Sequence, residues 1–175
     1  MLIMLSIGTA ASADNLQEKQ QLQAAMVYQM FNFVSWPEHT TKSNTHLICM
    51  APELSASSSI LGLKSLTIKD KPIHVQTCQQ AECVSACDIL LISGDSNPAN
   101  IVLLEAAKNQ AVLTIAEHDG KLAPQTMISF YHEHQHLRMN AYLSNIRQSE
   151  FTISSRLLRL MRRIEAPSQA VESQP

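Results

Sequence analysis

The sequence predicts an α/β domain: a three-layer sandwich with a mixed, mainly parallel sheet, a C-terminal β-hairpin, and amphipathic helices at both ends. Three observations predict it. Short apolar runs alternate with helix-period segments through the middle of the chain, as βαβ units do. Two runs near the C-terminus flank a turn-like stretch, as in an antiparallel hairpin. With 175 residues, 45% of them apolar, the chain supplies one core of ordinary size.

The elements follow in order. Residues 1–10, MLIMLSIGTA, are uncharged and apolar, and Ala11, Ser12 and Ala13 then give the A-x-A pattern of a secretory signal. Cleavage is expected after Ala13. No Lys or Arg precedes the run, which reads as a signal with a truncated basic region. The run is shorter than the ~20 residues a bilayer span needs, so no stable membrane insertion is expected. Leu22, Met26, Val27, Met30, Phe33 and Val34 recur at helical spacing, and Trp36-Pro37 stops this helix. The polar residues 38–44 read as a loop. Leu47, Ile48, Cys49 and Met50 form a buried strand ending at Ala51-Pro52.

Residues 54–63 carry four serines before Ile60-Leu61, as expected of a capped helix. Residues 72–76 alternate apolar and polar, predicting a half-buried strand near an edge. Residues 88–93 are nearly continuous in apolar character up to Gly94, the clearest central strand in the chain. Asn97-Pro98 starts the next helix, because proline is tolerated in a first turn. Residues 112–115 form another strand. Residues 127–131 and 137–141 make the hairpin around residues 132–136. Ile153, Leu157, Leu160, Met161 and Ile164 then predict a terminal amphipathic helix with Ser154 or Ser155 near its start. A single domain over residues 14–165 and a disordered tail over 166–175 complete the organisation.

Composition excludes several functions. A net charge of −2, from 13 basic and 15 acidic side chains, gives no positive field for nucleic acid. The four glycines are isolated, which removes phosphate-cradling loops. Four cysteines, Cys49, Cys78, Cys83 and Cys87, allow three pairings, and none forms C-x-x-C. A metal site using three of them and a histidine is arithmetically open, but export favours two disulfides. His132, His134 and His136 alternate as metal ligands would in an unbroken strand, yet a turn at His134 splays them. Ser154 and Ser155 lack a base and an oxyanion donor set, so they read as caps rather than nucleophiles. Glu117 and Asp119 share a polar loop without a catalytic partner. Neither an enzyme, nor a metal, nor a cofactor is expected. Arg156, Arg159 and Arg163 share a face of the terminal helix and suit carboxylates of a partner protein. Trp36 reads as a core plug beside the helix end.

The blocks AAMVYQMFNFVSWP, LICM, KPIHVQ, CDILLIS, AVLTIAE, MISFY, LRMNAYL and ISSRLLRLMRR, in this order, resemble the YfiR family (DUF4154) of periplasmic regulatory proteins. The resemblance spans about residues 22–163. It implies that Cys49 pairs with Cys87, which leaves Cys78 and Cys83 as a local pair. It also places the family's late-strand asparagine on Asn140. A glycine common before the last helix is replaced by Glu150. By this resemblance the protein is a periplasmic negative regulator: it binds the periplasmic sensor region of an inner-membrane diguanylate cyclase and restrains cyclic-di-GMP synthesis. The oligomeric state is left open, a homodimer included. The rival class is a small-molecule sensor using the crevice at the C-terminal strand ends, near Ser93, Gly94, Ala116 and Glu117. A thiol oxidoreductase is disfavoured by the cysteine spacing.

Overall fold

The computed structural model describes residues 10–37, 43–64, 66–94, 97–118, 124–134 and 136–165. Residues 1–9 of the expected signal, Asp119 and the expected disordered tail 166–175 lie outside them. Helix α1, Ala10–Phe33, crosses the expected cleavage site in its first turn. Its buried positions Ala24, Val27, Met30 and Phe31 follow helical spacing. Leu22, expected on that face, is instead 49% exposed. The chain turns extended one residue after the helix, because β1 (Val34–Ser35) pairs with β9 (Thr152–Ile153) in a small antiparallel ribbon.

The main sheet has eight strands in the order β10-β8-β7-β6-β5-β2-β4-β3. Strands β2 (His46–Met50), β4 (Lys71–Thr77), β5 (Ile89–Ile92), β6 (Leu113–Glu117) and β7 (Ile128–Glu133) run parallel to one another. The two-residue β3 (Thr67–Ile68) closes one edge antiparallel to β4. The expected hairpin is present as β7 and β8 (His136–Tyr142).

Alternation across the sheet explains the continuous apolar runs. Ile48, Ile89, Leu91, Leu113 and Ile115 face a core covered by α1 and the short α2 (Ser57–Leu61). Cys49, Leu90, Ile92 and Ala116 face a second core under α3 (Pro98–Ala107) and a 3₁₀ helix, Ala81–Ala86. A strand buried on both faces has no polar side to show. Asn97 caps α3 through its side chain, which accepts from the Ala99 N–H at 2.9 Å, with Pro98 in the first turn as read from sequence. Helix α2 differs: Ala56 precedes it, and no serine side chain caps it.

The C-terminal region departs most. A helix unmarked in the sequence, α4 (Leu143–Gln148), follows β8. The expected terminal helix is reduced to α5, Ser155–Leu158, capped by the Ser154 side chain, and then gives way to β10, Arg162–Ile164. Pairing of β10 with Asn140, Ala141 and Tyr142 satisfies the last three residues on the free edge of β8, and that outweighs the helical periodicity. Leu160, assigned to the buried face, is 67% exposed as a result.

Candidate functional site

The two crossovers leaving β2 and β5 run in opposite directions along the sheet, so the switch point lies at their C-terminal ends. Gly94 sits there with φ 84°, a left-handed conformation suited to glycine, and its carbonyl accepts from Asn100 Nδ2 at 2.9 Å. Ser93 and Gly94 are partly exposed, but Ala116 is fully buried. Glu117 closes β6 rather than standing in a loop, and it accepts a hydrogen bond from the Ser55 hydroxyl. Gln20 Nε2 on α1 donates to the Ser55 carbonyl at 2.8 Å. The strand ends near Glu117 are thus overlaid by the α2 loop and α1. Two grooves on the surface lie elsewhere. One of about 420 Å³ lies between the end of α3 and α4, touching Thr114 and Asn145. The other, of about 800 Å³, separates α1 from α2 and is lined by Leu16, Tyr28, Leu63 and Leu66 among uncharged glutamines and serines.

The arginines do not share one helix face. Arg156 lies in α5, Arg159 caps its C-terminus, and Arg162 and Arg163 point to opposite faces of β10. All four are exposed, and no guanidinium among them has a hydrogen-bond or ion-pair partner among the described residues. Arg147, by contrast, is paired with Glu165, and its hydrogen bond holds the Glu165 carboxyl below its ordinary value. The segment from α5 through β10 therefore presents four exposed, unneutralised guanidinium groups on more than one face.

Beside this edge lies a polar network that the sequence did not reveal. Ser129 and Asn140 stand directly opposite in the hairpin, and Asn140 Nδ2 donates to Ser129 Oγ at 3.1 Å. Ser129 Oγ also lies 3.2 Å from His118 Nε2 and 3.3 Å from the Tyr142 hydroxyl. Ser129, Asn140 and Tyr142 are buried, so the serine is no accessible nucleophile. The available signal was the period-two placement of Ser129, Asn140 and Tyr142 on the face of the hairpin that also carries Tyr131, Glu133, His136 and Arg138. The three hairpin histidines are splayed as expected: His134 takes φ 46° in the turn, and the register sends His132 and His136 to opposite faces.

The cysteines form two disulfides, Cys49 with Cys87 and Cys78 with Cys83, each with Cα atoms 5.8 Å apart. Trp36 stacks on Phe31 at 5.4 Å, meets Phe151 edge-on, and donates from Nε1 to the Asp88 carbonyl at 3.3 Å, the plug expected of it. His46 lies against Phe31 with ring centroids 4.2 Å apart; burial pulls its pKa below the ordinary value, partly opposed by Asp88. No helix among the described residues is long and apolar enough to cross a membrane.

No curated protein matches the chain. A family model does, described as YfiR/HmsC-like (DUF4154), over residues 20–162, well over half the chain. With its mainly parallel sheet, its two disulfides and Asn140 at the close of β8, the chain belongs to the YfiR/HmsC-like family of periplasmic regulators in cyclic-di-GMP signalling.

Proposed function

We propose that this protein is exported, matures by cleavage after Ala13, and acts as a negative regulator by binding the periplasmic region of an inner-membrane diguanylate cyclase. The observation that carries the reading is the run of four exposed arginines, Arg156, Arg159, Arg162 and Arg163, in α5 and β10, whose guanidinium groups have no partner among the described residues. Guanidinium groups left unpaired on a surface suit carboxylates of a protein partner, for which their planar donor fork is matched. A partner that binds one conformation of the sensor shifts its population, and the catalytic half responds across the membrane. No titratable set arranged for catalysis is needed for this role.

The test is cellular. Deleting the protein raises cyclic-di-GMP where the cognate cyclase is expressed, and restoring it lowers the level. Arg159→Glu relieves the repression with an unchanged melting temperature, since reversing a rim charge opposes association without touching the core. Normal repression by that variant moves the interface elsewhere. A second reading, a small-ligand sensor, is favoured by the uncharged groove of about 800 Å³ between α1 and α2. An unaltered cyclic-di-GMP level on deletion would select it.

A further inference from the structure

The sulfur atoms are gathered more closely than two separate staples require. The Sγ atoms of Cys49, Cys78 and Cys87 all lie within 4.8 Å of one another, and all three residues are fully buried. They belong to two different bonds, so the Cys78 sulfur of the short loop sits beside both sulfurs of the long one. The sheet creates this juxtaposition. Cys49 in β2 lies next to β4, whose end delivers Cys78, and the Cys78 N–H donates to the Met50 carbonyl at 2.8 Å. The 3₁₀ helix then carries Cys83 and leads to Cys87, which follows it directly and precedes β5. Of the four cysteines only Cys83 is partly exposed.

We propose that the Cys78–Cys83 bond is a redox-active site for dithiols, through which the buried Cys49–Cys87 bond is opened by thiol–disulfide exchange inside the protein. A thiolate of the dithiol attacks Cys83 Sγ, the accessible sulfur, forming a mixed disulfide and releasing Cys78 as a thiolate. The second thiol of the reagent displaces Cys83, which takes up a proton, and the reagent leaves as its own disulfide. Cys78 attacks the neighbouring bond, a new bond to Cys87 forms, and Cys49 leaves and is protonated. Two electrons pass from the dithiol to the protein, which ends with one disulfide and two thiols. Burial lowers the thiolate fraction at Cys78. Proximity offsets this, because effective molarities in well-oriented intramolecular reactions reach about 10⁵ M or more. The direction follows from Gln76, whose Nε2 lies 3.6 Å from Cys49 Sγ and donates to negative charge developing there.

The protein with both bonds formed is treated anaerobically with one equivalent of dithiothreitol, quenched in acid and alkylated. Cleavage after Glu82, which separates Cys78 from Cys83, and fragment mass spectrometry then locate the label. The expected product carries label on Cys49 and Cys83, with Cys78 joined to Cys87. Label confined to Cys78 and Cys83, or to Cys49 and Cys87, overturns the exchange. Label on Cys83 and Cys87, with Cys49 joined to Cys78, upholds the exchange and overturns the role of Gln76. In the Cys78→Ser, Cys83→Ser double variant, the same reagent reduces Cys49–Cys87 at least tenfold more slowly than in the parent. An equal or faster rate, in a variant with unchanged circular dichroism, overturns the proposal.

Discussion

The centre of the sheet and its C-terminal edge are held by different forces. At the centre, β2, β5 and β6 are apolar on both faces, and Cys49–Cys87 ties the first of them to the residues just before the second. At the edge, β7 and β8 enclose a hydrogen-bonded group of Ser129, Asn140 and Tyr142, and β10 is a three-residue strand with exposed arginines. Hydrophobic burial is non-directional and tolerates sliding, whereas buried polar groups accept only one arrangement. The centre therefore supplies stability, and the edge fixes a single geometry for the surface on which the arginines stand.

The comparison is broken most forcefully at the centre. Replacing Cys49 and Cys87 by serine is expected to cost about 4 kcal/mol in urea unfolding, against about 2 kcal/mol for Cys78 and Cys83, from the loop-closure entropy of each bond. The separations are 38 and 5 residues, so equal losses would mean that chain entropy does not rank the two. At the edge, Asn140→Ala removes a donor to Ser129 and leaves a small void, and a loss of about 2 kcal/mol is expected by the same measurement. A negligible loss would reduce the network to packing.

These two sites also mark how far the sequence was legible. Runs such as residues 89–92 were readable because burial on both faces leaves an unbroken apolar signal, and Asn97-Pro98 because capping is local. The pairing of Cys49 with Cys87 came from family resemblance, since four cysteines alone allow three pairings. Strand β10 was not readable: Ile153, Leu157 and Met161 keep helical spacing, and only the free edge of β8, a distant element, draws Arg162, Arg163 and Ile164 into extended form. Glu117 was misread as loop because its partner, Ser55, is 62 residues away. The arginines were found as residue types, but the shape that displays them was not.

Smaller effects sharpen the contrast. Glu150 follows α4 with φ 56°, the left-handed conformation that glycine adopts freely, so the conformation survives at the position where the family's glycine is absent. Glu150→Gly should raise stability by about 0.5 kcal/mol, seen as a higher Tm. Smallest is the pH response of His46 at the start of the central strand β2. Burial lowers its folded pKa below 6.5, so the unfolded chain binds the proton more tightly. Its contribution is complete above the unfolded value and is lost as pH falls through 6.5 toward the folded value. His46→Gln should flatten the urea midpoint against pH in that window, and an unchanged slope would assign the response to other groups.

Both ends of the eight-stranded sheet are very short. One margin is the two-residue β3, reached through Lys69 and Asp70 in left-handed conformation, and the other is β10 with two adjacent arginines. A long, flat, uncharged margin would recruit strands from other molecules and grow into fibrils. Here β3 covers only Lys71 and Pro72 of β4, and β10 covers Asn140, Ala141 and Tyr142 of β8, so neither margin is a long flat strand, and the second repels its own copy by charge. The consequence is colloidal: the domain can stay dispersed at high concentration despite its broad sheet and its low proportion of charged residues, 16%.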